Sequence, residues 1–255
     1  METGKSRFAK RTGSVRPDGF TDAAGNPVKN ALLLAIPDRE FGLLRPHLEY
    51  LELPHHQILQ EPGQKIEYAY FLNHGMISLV ILTSDGRSVE VAIVGNEGMV
   101  GTSLAVGLLN RGPHRAIIQI SASGFRVKSE LLGEVLSRTP ELRLIMNRYV
   151  LIQGLQVAQI AACNRLHEVE QRLARWLLMC QDRIGSEELP MTHEFLAQML
   201  GTGRPSVSLA AGILQRAGMI ENIRGTVKIV NRKGLEGSSC ECYAAMRQFS
   251  ANMGI

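Results

Sequence analysis

What this 255-residue chain has little of narrows it first. No apolar run approaches the roughly 18 residues that a membrane-crossing helix needs, and the opening "METGKSRFAKRTGSVRPDG" lacks the apolar stretch of a secretory signal. A cytosolic protein with no membrane partner is expected. Cysteine is scarce: Cys163, Cys180, Cys240 and Cys242 are too few and too scattered for a disulfide scaffold, so reduced thiols are the default. Cys240-Glu241-Cys242 could be half of a metal site, but no Cys or His pair elsewhere stands at matching zinc spacing, and no metal is expected. By spacing, His47, His55, His56, His74, His114, His167 and His193 form no ligand set, and His55 and His56 cannot both face one way on a strand. Phosphate loops are missing too. The glycines of "GTGRPS" at 201–206 follow the helical "HEFLAQML" rather than a strand, and neither Gly-x-Gly-x-x-Gly nor Gly-Lys-Ser/Thr is completed. With no nucleophile elbow or metal motif either, no catalytic residues are assigned and an enzyme is not expected.

What is present suits a soluble globular protein with a real core: 45% hydrophobic residues, 20% charged and only 5% aromatic. Its length slightly favours two domains over one. The net charge of +4 is mild, but it is unevenly spread. Residues 31–163 carry eleven Lys/Arg against twelve acids, whereas 201–233 carry six (Arg204, Arg216, Arg224, Lys228, Arg232, Lys233) against Glu221 alone. Positive charge concentrated in this way is the footprint of a nucleic-acid partner.

Along the chain, residues 1–29 are polar and without period, which predicts a flexible basic arm. Residues 30–139 hold short β-type runs, "YAYFL", "MISLVIL", "SVEVAIV", "RAIIQI" and "GFRV", between Gly-containing turns, with Asp85-Gly86 the clearest hairpin. They predict an antiparallel, jelly-roll-like β roll. From Pro140 the pattern becomes helical, and 140–163 reads as one long helix. Its stripe Leu144, Arg148, Leu151, Leu155, Ala158 and Ala162 steps by four and three. Such a seam suits pairing with the same helix of a second subunit, and the alternative is a helix lying on its own β domain. A second helix follows in "LHEVEQRLARWLLMCQDR", with Trp176 in the core.

Residues 164–243 then read as a DNA-binding domain. Thr192 is placed to cap "HEFLAQML", with Glu194 in the first turn where the helix dipole favours an acid. After the Gly-Thr-Gly turn comes "RPSVSLAAGILQRAG", where Pro205 is tolerated in the first turn and Gly218 suits a left-handed ending. Val207, Ala210, Ala211 and Leu214 share one face and should pack inward on Phe195, Leu196 and Leu200, leaving Arg204, Pro205, Ser208, Leu209 and Gly212 outward. "MIENIRGTVKIVN" gives two short strands about Arg224-Gly225. Two helices across a tight turn and then a basic hairpin make a winged helix-turn-helix, so the chain is expected to be α+β, with a tail at 244–255. Arg204 can pair with guanine O6 and N7, Ser206 and Thr192 are better placed for phosphate oxygens, and Arg224 and Lys228 add sequence-independent attraction.

From about Asn30 to Tyr243 this order of β roll, long helix and winged helix resembles the Crp/Fnr family of bacterial transcription regulators. The segment "MTHEFLAQMLGTGRPSVSLAAGILQRAGMI" is similar in spacing throughout to the family's DNA-binding motif. The resemblance implies a homodimer on two-fold symmetric double-stranded DNA, with Arg204 matching the base-reading arginine, and RNA polymerase as a further candidate partner. Pro205 and Leu209 stand where close members often have a glutamate and a second arginine, so the operator those members read is not carried over. The β roll resembles the family's cyclic-nucleotide-binding domain, whose members use a Gly-Glu-Leu carboxylate for the ribose and an Arg-Ser/Thr pair for the cyclic phosphate. Here Gly101-Thr102-Ser103 and Arg115-Ala116 keep only the arginine. A cyclic nucleotide, another small-molecule effector and no ligand at all stay open, and no cofactor is expected. The N-terminal cysteines by which some members hold an iron–sulfur cluster are missing, since no cysteine precedes Cys163. The rival reading is a small-molecule or cyclic-nucleotide sensor that acts through a protein partner.

Overall fold

A computed structural model describes residues 20–107 and 110–251. Apolar alternation builds the first half as expected. Helices α1 (Ala31–Leu34) and α2 (Asp38–Leu44) lead into strands β1 (Glu49–Leu53), β2 (Ile58–Gln60), β3 (Tyr68–Leu82) and β4 (Ser88–Val94). The short helix α3 (Ser103–Val106), strand β5 (Arg115–Lys128) and helix α4 (Ser129–Leu136) complete this half. The strands form an antiparallel sheet in the order β1-β5-β3-β4, with β2 also on β5. The two runs expected as separate strands, "YAYFL" and "MISLVIL", are one 15-residue strand whose register against β5 shifts around His74. Gly75 makes that bend possible: its φ is +91°, and a Cβ there would sit 2.5 Å from Ala122. His55 and His56 lie in the turn between β1 and β2 rather than on a strand, His56 at φ 68°, and their rings stack 3.7 Å apart.

The expected flexible arm is folded over its last ten residues. Phe20 stacks on Phe41 at 4.1 Å, and the Asp22 carboxylate accepts from the backbone N–H groups of Ala24 and Asn26. Buried Asn30 caps α1 by accepting from Leu33 N and donates to the carbonyls of Leu72 and Gly98. Residues 1–19 of that arm lie outside the described residues.

Helix α5 (Pro140–Leu166) runs three residues past its expected end. One face, Leu142, Met146, Tyr149, Ile152, Gln156, Ile160 and Cys163, is buried, so the helix does lie on its own β domain. The stripe Leu144, Arg148, Leu151, Leu155, Ala158 and Ala162 is exposed along the opposite side. Helix α6 (Val169–Ile184) starts from a capping box between Glu168 and Gln171 and ends on left-handed Gly185. Beyond it come β6 (Glu188–Leu189), α7 (His193–Leu200), α8 (Arg204–Arg216), β7 (Ile220–Ile223), β8 (Thr226–Ile229), α9 (Arg232–Ser238) and α10 (Cys242–Ala251). Strands β6, β8 and β7 form a small antiparallel sheet. The expected tail is therefore helix as far as Ala251. Among the described residues no helix is long and apolar enough to cross a membrane.

Candidate nucleic-acid interface

The local signals in the sequence set the α7–turn–α8 unit. Thr192 Oγ1 accepts from Phe195 N at 3.2 Å, and Gly201, at φ +60°, ends α7 in the left-handed region. Gly203 and Pro205 start α8. Val207, Ala210, Ala211 and Leu214 are buried in one cluster with Leu196, Ala197 and Leu200, and half-buried Phe195 packs against it. The two alanines let α7 and α8 approach closely.

What this packing leaves outside is the N-terminal end of α8. Arg204, Pro205, Ser206, Ser208 and Leu209 are exposed, Leu209 by 64%, as is Thr192 beside them. Arg204 Nε lies 4.0 Å from Glu194 Oε2 with both side chains open to solvent, a loose contact that leaves the guanidinium free to turn. Ser208 is not free in the same sense, because its Oγ meets His193 Nδ1 at 3.0 Å. His193 Nε2 in turn meets Asn222 Oδ1 at 3.1 Å, and Gln215 Oε1 accepts from both the backbone N and the Nδ2 of Asn222. This polar chain, which residue-by-residue reading missed, locks the wing to both helices. Its sequence signal is weak, since each partner lies on a different element.

The wing turns at Arg224-Gly225, with Arg224 exposed and Lys228 half-exposed on β8. Of the six cations in the basic stretch 201–233, Arg232 is tied into the fold. It pairs with Asp182 at 2.7 Å and Glu236 at 3.0 Å and bonds Tyr243 Oη at 2.6 Å, tying α9 to α6 and α10.

The candidate ligand residues of the β roll already have partners within the chain. Arg115 is held by Glu61 through two hydrogen bonds of 2.9 Å, Ala116 is buried, and Thr102 Oγ1 meets Gln153 Oε1 on α5 at 3.3 Å. Gly101 (φ +92°) packs by Tyr68 and Ala69, Ser103 opens α3, and no hydrogen bond or ion pair among the described residues joins 101–103 to Arg115. The sheet meets the winged domain elsewhere. Trp176 is core, as expected, and its Nε1 also donates to Glu90 Oε1 on β4 at 2.6 Å, with Ser78 Oγ donating to the other carboxylate oxygen. Burial lifts the Glu90 carboxyl to about 7, only partly offset by these two bonds and by Arg175 and Arg183. Arg183 pairs with Glu97 at 2.8 Å, and Gln198 of α7 donates to Ser88 Oγ at 2.5 Å.

The cysteines also depart from their spacing. Cys163, Cys240 and Cys242 converge with His167, so the partner that Cys240-Glu241-Cys242 lacked in sequence is supplied by the end of α5.

Residues 171–237 match the family of the Crp-like helix-turn-helix domain. The global nitrogen regulator of Synechococcus elongatus is 24% identical over 211 residues, covering 80% of this chain and 94% of that protein. Among solved structures, FixK2 from Bradyrhizobium japonicum superposes with a TM-score of 0.66 at 18% identity, over 76% of this chain and 98% of that one. The c-di-GMP-responsive global regulator CLP of Xanthomonas campestris gives 0.64 at 16% identity, over 76% and 99%. Residues 171–237 thus carry a Crp-like helix-turn-helix domain, and the β-roll, long-helix and winged-helix order of the chain is the fold of these neighbours.

Proposed function

We propose that the chain acts as a homodimer that binds a two-fold symmetric site in double-stranded DNA, each subunit placing α8 in the major groove. The observation that carries this reading is the solvent-facing N-terminal end of α8, where Arg204, Ser206 and Ser208 stand exposed beside the basic wing. Arg204 is the base reader, Ser206 and Thr192 take phosphate oxygens, and Arg224 and Lys228 hold the backbone without reading sequence. The exposed α5 stripe is the face that pairs, and it sets the two α8 helices about 34–36 Å apart, one turn of DNA, or a multiple of that. The bidentate Arg115–Glu61 pair disfavours a cyclic phosphate as effector, because a phosphate would have to displace a carboxylate already in good geometry.

The test is selection of a site from random duplexes with the full chain, followed by salt titration of binding to the selected and to random DNA. Arg204→Ala is expected to weaken the selected site by about 1–3 kcal/mol and to relax one base position, leaving random DNA nearly unaffected. Equal loss on both DNAs would remove Arg204 from base reading.

A further inference from the structure

Three of the chain's four cysteines meet at one place. Cys163 sits on the buried face of α5 and His167 is the first residue beyond that helix. Cys240 lies in the link between α9 and α10, and Cys242 opens α10. One donor atom from each of these four residues lies within 4.8 Å of all the others. Cys163 Sγ is 3.5 Å from Cys240 Sγ, and Cys242 Sγ is 3.6 Å from His167 Nδ1. All three thiols are buried, and His167 is half-buried.

These separations are those of one coordination sphere. A tetrahedral ion with metal–sulfur bonds of about 2.3 Å and metal–nitrogen bonds of about 2.0–2.1 Å holds two sulfurs about 3.8 Å apart, and a sulfur and a nitrogen about 3.6 Å apart. The surroundings are arranged as around a ligand set. His167 turns its other nitrogen, Nε2, to Glu241 Oε1 at 3.1 Å, the carboxylate partner that orients a metal-bound imidazole. Gln159 Nε2 donates to Cys242 Sγ at 3.1 Å, as to a thiolate.

Charge balance points the same way. Arg172 and Arg175 are buried, neither makes an ion pair among the described residues, and the Nε of each lacks a hydrogen-bond partner. Arg175 Nη1 meets only the sulfurs of Met179 and Met246. Buried guanidinium groups need a compensating anion close by. Three thiolates around a divalent cation carry a net charge of −1 and add to that of Glu90, which also acts on Arg175.

We propose that Cys163, His167, Cys240 and Cys242 bind one thiophilic divalent ion of the zinc type, in a closed tetrahedral set of three sulfurs and one nitrogen that pins α10 to the junction between α5 and α6. Four protein ligands leave no open position, so the ion is structural rather than catalytic. The junction it pins is where the long helix hands over to the winged domain, and the ion thereby fixes the angle at which α8 is presented. This last consequence rests on the DNA-binding reading above; the site itself does not.

The experiment uses the full chain, reduced, stripped with chelator and titrated with Co2+ as the probe. One equivalent per chain should bring up the visible ligand-field bands of tetrahedral Co2+ and a sulfur-to-metal charge-transfer band, and Zn2+ should bleach both. Cys242→Ser and His167→Ala should each weaken binding by at least about tenfold, and Glu241→Gln by about tenfold through the orientation of His167. His167→Ala and Glu241→Gln keep the test usable if loss of a buried thiol prevents folding. Bands that fail to saturate, or that survive both ligand substitutions unchanged, overturn the site, as does a Cys163–Cys240 disulfide formed in place of metal binding. Salt-titrated DNA binding is measured on the same loaded and stripped samples. A chain that takes up the ion but binds no DNA overturns the operator reading alone, and one that binds its site identically in both samples overturns the role at the junction.

Discussion

Glu90→Gln tests the contact between the β roll and the winged domain. The Glu90 carboxyl, pressed between β4 and α6, is lifted from its ordinary 4.5 to about 7, chiefly by burial. Its neighbours are Ser78 and Trp176, which donate to it, the cations Arg175 and Arg183, and the Cys180 thiol, whose own titration is pushed upward first by burial and then by the Glu90 charge. A raised acid is one that the folded state prefers to keep protonated. Its contribution is complete below about pH 4.5 and is lost as the pH rises through about 7. A shift of that size corresponds to roughly 3 kcal/mol of stability lost by pH 8 relative to acid. Glutamine removes the titration while keeping an acceptor for Trp176 and offering a donor to Ser78. Because Trp176 is the only tryptophan, its fluorescence reports this contact directly in urea unfolding at pH 5 and pH 8. The wild type should lose roughly 2–3 kcal/mol more than the variant between the two pH values. Parallel losses would refute the reasoning, because they would mean that Glu90 is not desolvated there.

Two further outcomes follow from exposed positions. Leu151, 64% exposed at the centre of the α5 stripe, contributes little to the fold of one chain. Leu151→Glu should therefore leave the single-chain unfolding free energy within about 0.5 kcal/mol while sedimentation equilibrium shows a monomer; an unchanged oligomeric state would move the pairing face elsewhere. Arg224→Ala and Lys228→Ala should each weaken binding uniformly on selected and random DNA, lowering the slope of log K against log salt by about 1. An unchanged slope would take the wing off the phosphate backbone.

The recognition unit was legible because its signals are local. The spacing of Val207, Ala210, Ala211 and Leu214 is a property of one helix turn after another, and all four are buried. Thr192, Gly201 and Pro205 act on backbone groups within a few residues of themselves. What the sequence leaves hidden has the opposite cause. Arg232 counted as a free cation until its partners Asp182 and Glu236 were in view. Arg115 resembled a phosphate ligand, yet Glu61 holds it from 54 residues away. The thiols at 163, 240 and 242 read as scattered because metal-site spacing in sequence reveals only donors that share a turn or hairpin, and here they come from three elements. Residues 20–29 read as arm because their composition is polar, although Phe20 finds its ring partner on α2 and Asp22 builds a turn of its own.

The β roll meets the winged domain through a small set of polar contacts. Ser88, Glu90 and Glu97, which bond residues of α6 and α7, are on β4 or in the loop that follows it. Across the sheet, Glu90 is registered opposite Val80 of β3, and Val80 opposite Arg115 of β5. Arg115, Val80 and Glu90 thus form one row over three adjacent strands, a span of about 10 Å at the usual strand spacing. A change at the Arg115–Glu61 pair has one strand to cross before it reaches the bond from Glu90 to Trp176. Gly101, Thr102 and Ser103 are not in that row, so what they lack as ligand residues leaves it intact. At its other end α6 begins two residues after His167, at the junction where the thiols of α5 and α10 meet. Helix α6 packs on β3, bonds β4 through Trp176 and Glu90, starts beside the thiol–imidazole cluster and packs against α8. That helix thus meets two chemically different groups, one a carboxylate raised toward neutrality and the other a cluster of soft donors.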